Sequence, residues 1–231
     1  MNDLQIEHAV QGTSSDARLL NRREFNERCV ALGSLVTLSG ALAFSTAVAA
    51  TDAARTVKFR DGTSVPAIGQ GSGYIGQGRH LAADEEEAFR TGLALGMTLI
   101  DTSGNYGEGR SEELIKRVIA GQRERAFVVS KVEPNEVTGD AMARACEASL
   151  SRLGTDHLDL YLLHWPTPNA EFSRVVAGFE SLRAAGKIRA WGVSNFTVPQ
   201  MEDLFHVPQG DRCATNQVLY NLGDQIGRAH V

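Results

Sequence analysis

The sequence predicts an α/β fold: a (β/α)8 TIM barrel that is incomplete, with about six of its eight βα units present, preceded by an N-terminal β-hairpin. Short apolar runs alternate with amphipathic helical patterns from residue 57 onward. The runs recur at intervals of roughly 30 residues, the size of a βαβ unit, so the predicted sheet is parallel. Polar side chains follow the apolar runs where strands would end, which is where such barrels carry their chemistry.

The N-terminal hairpin is predicted from two short alternating runs around a turn. Residues 57–60 and 65–68 flank Asp61-Gly62, a dipeptide typical of β-hairpins in this setting. The predicted barrel strands then cover residues 67–71, 98–101, 126–131, 158–164, 187–194 and 214–219.

Helical periodicity predicts a helix after each of the first five barrel strands. The first covers residues 84–95 with Asp84 as the candidate N-cap, and the second covers residues 111–120. The predicted apolar faces are Leu114, Ile115, Val118 and Ile119 in the second helix, Met142, Ala145, Cys146, Ser149, Leu150 and Leu153 in the third, and Phe172, Val175, Val176, Phe179 and Leu182 in the fourth. Gly154 and Gly186 end the third and fourth helices, and Pro199 begins the fifth.

An open doubly wound sheet is the main competing α/β fold. Such a sheet normally carries a glycine-rich phosphate-binding turn after its first strand. Residues 69–73 (GQGSG) are rich in glycine but lack the third glycine at the required offset. The sequence therefore favours the barrel.

The composition argues against two classes of function. The 231 residues carry a net charge of -5, which gives no electrostatic basis for binding nucleic acid. The three cysteines are isolated from one another and the six histidines are scattered, so their spacing disfavours a metal site.

Residues 1–50 are predicted to be a leader with a twin-arginine signal peptide. Arg22 and Arg23 precede Phe25, residues 29–51 contain no charged side chain, and the segment closes on an A-x-A pattern. Asn21 and Asn26 depart from the residues that are usual at their positions in such signals.

A twin-arginine signal implies the twin-arginine export machinery as a partner, a periplasmic location and no stable membrane anchor after cleavage. The alternatives are an uncleaved signal that anchors the protein in the membrane, a buried helix of the domain, or a cytoplasmic protein. Cleavage would remove Cys29 and leave Cys146, a structural thiol on an apolar helix face, and Cys213. A disulfide between these two is compatible with the periplasm, although the sequence does not assign it.

Polar residues converge at the predicted carboxyl ends of the strands, where a barrel has its mouth. In chain order these ends carry Gly71 and Ser72, Asp101 followed by Tyr106, Lys131, His164 and Trp165, Ser194 and Asn195, and Gln217. Each residue alone could be a satisfied polar group at a strand end. The convergence of four such groups on three consecutive strands favours a functional site.

Lys131 is the most unusual of these residues, because a lysine that ends a buried strand needs a carboxylate partner or loses its charge. Asp101, on the adjacent predicted strand, is the expected partner. A positive Lys131 beside Tyr106 favours the phenolate, which makes the tyrosine a usable proton donor and acceptor near neutral pH. His164 can orient or polarise a carbonyl oxygen.

These motifs resemble those of the aldo-keto reductase family. Residues 101–107 (DTSGNYG) are similar to its catalytic loop, and residues 129–131 (VSK), 162–166 (LLHWP) and 191–196 (WGVSNF) are similar to three more of its signatures. The resemblance runs from about residue 57 to residue 223. The motifs are specific in combination and order.

The resemblance implies an NADPH-dependent oxidoreductase that reduces a small carbonyl substrate, an aldehyde or ketone, to an alcohol by hydride transfer. It implies that Tyr106 is the general acid, that Asp101 and Lys131 tune it, and that His164 and Trp165 contact the substrate. The residues implied to bind NADPH, without a Rossmann fold, are Ser72, Asp101, Ser194, Asn195 and Gln217. Ser194, Asn195 and Gln217 would hold the nicotinamide carboxamide.

Two features depart from the family pattern. Ser72-Gly73 stands where the family more often has threonine and a large aromatic residue, which predicts a more open pocket wall. The chain also stops after its sixth predicted strand, so the residues that would grip the cofactor's pyrophosphate and adenosine phosphate are expected to be absent. The partial barrel is predicted over residues 57–225.

Residues 226–231 are predicted to be a non-native tail, because they match what a common sequencing-library adapter would encode in one frame. As written, the chain is expected to be insoluble or poorly active, since its first and last barrel strands would expose unpaired edges. Two other functions stay open: a cofactor-binding or regulatory barrel with little turnover, and an inactive fragment. Export also conflicts with NADPH use, unless the cofactor travels inside the folded protein.

Overall fold

The described part of the chain follows the predicted βα order. A computed structural model describes residues 55–138, 140–166 and 172–221. The predicted leader of residues 1–50 and the predicted tail of residues 226–231 lie outside these ranges. Within them, no helix combines the length and apolar composition needed to cross a membrane.

The strands are β1 Thr56–Lys58, β2 Ser64–Pro66, β3 Gln70–Gly71, β4 Leu99–Asp101, β5 Phe127–Val132, β6 Leu158–Leu163, β7 Ile188–Ser194 and β8 Asn216–Gln217. The α-helices are α1 Ala82–Ala94, α2 Arg110–Ile119, α3 Ala141–Leu153, α4 Phe172–Ala184 and α5 Val198–His206. Short 3-10 segments cover Tyr106–Gly109, Arg123–Arg125, Pro134–Glu136 and Gly210–Arg212.

The predicted hairpin is confirmed, although its strands are shorter than predicted. β1 and β2 pair antiparallel with Val57 opposite Val65. Gly62 adopts the left-handed backbone conformation that the tight turn requires, with φ of 88°. The Phe59 ring packs edge-on against Phe127, with 6.1 Å between ring centroids. The hairpin therefore contacts the sheet at the amino-terminal end of β5.

The six remaining strands form one parallel sheet in the order β3-β4-β5-β6-β7-β8. Spatial order thus follows chain order without a reversal. A doubly wound sheet would reverse its strand order at a switch point, so that alternative is wrong. Successive right-handed βα units that never reverse build the wall of a (β/α)8 barrel, with six of its strands described.

One hydrogen bond shows that the sheet is curled. The Gln217 amide Nε2 on β8 donates to Asp101 Oδ1 on β4 at 3.1 Å. These strands are four positions apart in the sheet order, and in a flat sheet they would be about 19 Å apart. Direct contact between their side chains requires the wall to bend back on itself. The prediction of an incomplete barrel is therefore confirmed in its geometry.

Alternation along the strands sorts their side chains onto two buried faces. The face toward the inside of the curl carries a small apolar cluster of Val129, Leu160, Leu162, Ala190 and Ala214. The opposite face packs against the helices, and its largest buried side chains are Trp191 and Tyr161, which both contact the Phe179 ring of α4. Because Lys131 has the same parity as Val129 on β5, the alternation directs it to the inside.

Most predicted helices are confirmed to within a few residues. The apolar face predicted for α2 is fully buried, and Gly154 and Gly186 end α3 and α4 with left-handed φ values of 64° and 70°. Asp84 is not an N-cap as predicted: Leu81 is the capping residue of α1, and Asp84 lies in its first turn.

The start of α5 and the two edge strands differ from their predictions. Pro199 is not the first residue of α5, since the helix begins at Val198 behind a capping box of Thr197 and Gln200. β3 and β8 each have only two residues, shorter than predicted. Each of them has only one neighbouring strand among the described residues.

Cys146 and Cys213 are both free and buried, so no disulfide joins them. Cys146 packs on the helix-covered face, as predicted for a structural thiol. Burial raises the pKa of each thiol to about 12, because the thiolate loses its hydration inside the core. Both thiols are therefore inert toward oxidation while the fold is intact.

These two thiols are predicted to resist alkylation. At pH 8 a pKa of about 12 leaves only about one molecule in ten thousand as the reactive thiolate. Iodoacetamide should leave both cysteines unmodified in the folded protein and label both in urea without a reductant. Peptide-level mass spectrometry measures this. Labelling in urea that required a reductant would instead show a disulfide.

Candidate active site

The polar residues predicted to converge at the strand ends lie together at the carboxyl end of the sheet. β4 and β5 are neighbours with Asp101 opposite Val129, and β5 and β6 are neighbours with Lys131 opposite Leu162. Their ends therefore bring Asp101, Lys131 and His164 to one edge. The 3-10 segment after β4 adds Tyr106.

Lys131 is the centre of this group. Its side chain is 1% exposed, and Nζ lies 2.8 Å from Asp101 Oδ1. Nζ also donates to the Thr102 carbonyl oxygen at 2.9 Å and to Tyr106 Oη at 3.2 Å. These three acceptors use the three N–H groups of an ammonium. A buried lysine keeps its charge only with such compensation, so the predicted Lys131–Asp101 pair is confirmed.

Asp101 connects the second and the last strands of the described sheet, β4 and β8. One carboxylate group accepts from Lys131 and also from Gln217 Nε2, which donates to Oδ1 at 3.1 Å. The carboxylate thus offsets the charge of Lys131 and fixes the orientation of the Gln217 amide. Gln217, predicted at the sixth strand end, lies at the site.

Tyr106 is held over the strand ends by a tight, glycine-rich loop. Gly107 and Gly109 have positive φ values of 59° and 89°, and Glu108 has 59°. Three such residues in succession turn the chain sharply before α2. The Tyr106 ring is half-buried, with its hydroxyl toward Lys131 and its edge toward His164, whose ring centroid is 5.7 Å away.

His164 is fixed from two sides. Its backbone N–H donates to the Val132 carbonyl oxygen at 2.9 Å, and Nδ1 lies 2.5 Å from Glu133 Oε1. An ionised Glu133 carboxylate can only accept a hydrogen bond, so Nδ1–H is the donor and Nε2 faces away from Glu133. Trp165 stacks on the imidazole at 5.9 Å between centroids and is half exposed. The predicted substrate pair His164 and Trp165 thus presents adjacent rings.

Glu133 is a site residue that the sequence analysis missed. Its position was a usable signal, because it follows Lys131 by two residues at the same strand end. Strand alternation gives residues at that spacing the same facing direction. Asn216 was also missed, and it holds the turn after β7: its Nδ2 donates to the Phe196 carbonyl oxygen at 2.9 Å.

Ser194, Asn195 and Gln217 form a connected set of hydroxyl and amide groups. Ser194 Oγ donates to the Gln217 carbonyl oxygen at 2.8 Å. Asn195 Nδ2 donates to the His164 carbonyl oxygen and to Ser194 Oγ, both at 3.1 Å. Asn195 has φ of 61°, a left-handed conformation that asparagine tolerates. Within the described residues, Asn195 Oδ1 and Gln217 Oε1 accept no hydrogen bond.

Ser72 differs from the other residues predicted to bind a cofactor. Its side chain is fully buried, and Oγ donates to the Asp101 carbonyl oxygen at 2.9 Å. Ser111 Oγ lies 2.7 Å from Ser72 Oγ and 3.1 Å from Thr102 Oγ1. This buried hydroxyl cluster ties β3, β4 and α2 together beneath the Tyr106 loop. The geometry gives Ser72 a supporting place rather than direct side-chain contact with a ligand.

Gly73 leaves one face of the Tyr106 ring uncovered. A Cβ atom at Gly73 would lie 3.8 Å from Tyr106 Cζ and 3.9 Å from Cε2, with no other heavy atom of the described residues within 4 Å. Gly73 has an ordinary φ, so a side chain could occupy this space without backbone strain. The open wall expected from the sequence corresponds to this space.

The arrangement places a proton donor, the Tyr106 hydroxyl, beside a fixed cation, the Lys131 ammonium. The His164 ring is also close to Tyr106. An ammonium 3.2 Å from a phenol oxygen stabilises the negative charge that remains after the phenol gives up its proton. In the described ranges, no cluster of three or more His, Cys, Asp or Glu side chains could hold a metal ion.

A sequence model described as the Aldo/keto reductase family matches residues 67–229. The methylglyoxal reductase YeaE of Escherichia coli (strain K12) is 47% identical over 171 residues, which is 74% of this chain and 60% of the relative. The aldo-keto reductase YhdN of Bacillus subtilis (strain 168) is 37% identical over 154 residues, 61% of this chain and 46% of the relative. The match reaches into residues 226–231, whose non-native origin stays a prediction.

Solved structures agree with these sequence relatives. An aldo/keto reductase from Klebsiella pneumoniae in complex with NADP and acetate is 46% identical, with a TM-score of 0.70 over 73% of this chain and 59% of that chain. The thermostable aldo-keto reductase Tm1743 in complex with epalrestat is 33% identical, with a TM-score of 0.69 over 76% of this chain and 66% of that chain. The chain thus spans between 46% and 66% of the length of these curated and solved relatives.

The buried pair of Lys131 and Asp101 predicts a specific pattern of stabilities. Lys131→Met should lower the free energy of unfolding by about 3–5 kcal/mol, because it leaves the Asp101 carboxylate without its cation. Asp101→Asn should also destabilise the protein. The double variant should be more stable than the sum of the single effects predicts. Urea unfolding of the full-length protein measures this, and additive effects would contradict the pairing.

Proposed function

The chain belongs to the aldo/keto reductase family, and from that premise we propose that it carries the acid–base part of an NADPH-dependent carbonyl reductase. The reaction would convert an aldehyde or ketone to an alcohol. The observation that carries the proposal is the position of Lys131 Nζ, within hydrogen-bonding distance of both Asp101 and Tyr106.

Tyr106 is the proposed general acid. Its hydroxyl would give its proton to the carbonyl oxygen as that oxygen becomes an alkoxide. The resulting phenolate lies 3.2 Å from the Lys131 ammonium, which stabilises the negative charge. Asp101 has an indirect role: its carboxylate lies 2.8 Å from Lys131 Nζ and offsets the lysine charge inside the barrel. The proton donor and its stabilising cation are then in place before the substrate arrives.

His164 is the proposed orienting group for the substrate. Glu133 Oε1 accepts a hydrogen bond from Nδ1–H at 2.5 Å, and this contact would hold the ring angle and the tautomer. The rings of His164 and Trp165 would form one side of the pocket, and the space above Gly73 would form another. A small aldehyde of the kind named for the E. coli methylglyoxal reductase relative is the first substrate to test.

The residues at the ends of β7 and β8 fit the nicotinamide end of NADPH. A carboxamide needs a donor for its oxygen and acceptors for its amide hydrogens. Asn195 Oδ1 and Gln217 Oε1 accept no hydrogen bond among the described residues, and Gln217 Nε2 has a second N–H besides the one that binds Asp101. The K. pneumoniae relatives were crystallised with NADP and NADPH. When bound, the cofactor would supply the hydride.

A cofactor-sensing barrel with little turnover is the alternative function. The contacts of Lys131 with Asp101 and Tyr106 argue against it, because a sensor has no need of a prepared proton donor. The location is a separate proposal: residues 1–50 would direct export through the twin-arginine machinery to the periplasm. Fractionation of cells for the mature protein distinguishes this from an anchored or a cytoplasmic protein.

Replacing the proposed proton donor tests the mechanism directly. Tyr106→Phe in the full-length protein should reduce kcat for carbonyl reduction by about 100-fold or more, while NADPH binding measured by fluorescence titration stays unchanged. Tyr161→Phe is the matched control, since the Tyr161 hydroxyl is buried on the helix-facing side and has no hydrogen-bond partner in the described ranges. Equal turnover by the Tyr106→Phe variant and the wild type would refute the assignment.

The open space at Gly73 predicts tolerance of bulky substrates. Gly73→Trp should fill this space beside the Tyr106 ring and lower kcat/KM for an aryl ketone by about tenfold or more relative to a small aldehyde. Gly73→Ala should leave that ratio near the wild-type value, because a single methyl group fits without a close contact. The idea fails if Gly73→Trp keeps the wild-type ratio.

A further inference from the structure

A buried ion pair next to the Tyr106 loop takes no part in the proposed chemistry. Glu112 is fully buried, and its Oε2 accepts from Arg152 Nε at 2.6 Å. Its other oxygen, Oε1, accepts from Ser130 Oγ at 2.6 Å. A carboxylate removed from water in this way is costly unless it is paired. The presence of this carboxylate beneath the Tyr106 loop therefore needs a structural explanation.

The Arg152 side chain lies directly against the backbone of the Tyr106 loop. A Cβ atom at Gly109 would be 2.5 Å from Arg152 Cδ and 2.6 Å from Nε, and one at Gly104 would be 2.8 Å from Nη2. A larger residue at either position would have to displace the Arg152 side chain. Gly104 and Gly109 bracket Tyr106, so the guanidinium supports the loop on both sides of the proposed proton donor.

The arginine itself is held in place. Glu112 fixes Nε at 2.6 Å, and Ser149 on the same helix accepts weakly from Nη2 at 3.4 Å. Glu112 also links the arginine to the sheet, because its other oxygen accepts from Ser130, the residue before Lys131 on β5. Ser130 and Lys131 point to opposite faces of the strand. One carboxylate therefore connects the support of the Tyr106 loop to the strand that carries Lys131.

We infer that Arg152, neutralised by Glu112, is a positioning residue that fixes the Tyr106 loop relative to β5. Its effect is to hold the phenol oxygen within reach of Lys131. A displacement of about 1 Å at a reacting group can cost on the order of 100-fold in rate. This inference rests on the proposed function for its kinetic consequence, but the loop geometry can be measured without any turnover.

The experiment compares this pair with a second buried ion pair at the other end of the strands. Arg123 Nη2 binds Asp159 Oδ2 at 2.8 Å near the start of β6, far along the strands from Tyr106. Arg152→Met, Glu112→Gln with Arg152→Met, and Arg152→Lys are made in the full-length protein. Arg123→Met and Asp159→Asn with Arg123→Met are the matched controls.

Hydrogen–deuterium exchange of residues 103–110 is the first measurement. Arg152→Met and its double variant should exchange faster in this segment than the Arg123 controls at equal global stability. The double variant removes both charges. Faster exchange in that variant therefore reports the loss of the Arg152 contacts to the loop, and not the effect of an unpaired Glu112 carboxylate. Arg152→Lys keeps the charge but lacks the planar guanidinium, and it should fall between Arg152→Met and the wild type.

Steady-state kinetics is the second measurement. Arg152→Met should lower kcat about 10- to 100-fold with the KM for NADPH unchanged, and Arg152→Lys should recover part of the loss. Equal exchange and equal kcat changes in the Arg152 and Arg123 variants would overturn the inference. If the wild-type protein reduces no carbonyl compound, the proposed function fails, and the exchange data alone decide the positioning role.

Discussion

The buried charge of Lys131 is the constraint on which the rest of the site depends. An ammonium with a side chain only 1% exposed must be surrounded by acceptors. Asp101 meets this need only because β4 and β5 are parallel neighbours that end at the same level. Tyr106 meets it only because the loop after β4 folds back over the strand ends. The burial of one cation thus depends on the sheet, on the loop and on the glycines of that loop.

Three acidic residues with distinct partners organise the carboxyl end of the described sheet. Asp101 pairs with Lys131, Glu133 with His164 and Glu112 with Arg152. The first two pairs face the mouth, and the third lies behind it against the loop backbone. Each group that could move a proton or hold a substrate therefore has a fixed orientation. This matches the need of acid–base catalysis for groups that are placed before the substrate binds.

Much of the fold was predictable because it depends on local periodicity. The faces of α2 and α3 and the stop at Gly154 follow from spacing alone, and Lys131 with Asp101 follows from the chemistry of a buried strand end. The edge strands β3 and β8 are shorter than predicted. The apolar residues next to them do not indicate where hydrogen bonding between the strands ends. Glu133 could have been found from its place two residues after Lys131. Arg152 was missed for a different reason: its partner Glu112 is 40 residues away in the chain, and periodicity does not encode partner choice. The burial of Ser72 likewise depends on Ser111, which folds onto it from α2.

The contact between Asp101 and Gln217 has a consequence for how the protein is made. The two residues are 116 positions apart in the chain. At about 5–20 residues per second, a ribosome adds the second on the order of 10 s after the first. The pairing of Lys131 with Asp101 needs far less chain and can form early, whereas the inside of the curl stays open until β8 emerges. During that interval the free edge of β7 is the part of the nascent chain most exposed to wrong pairing.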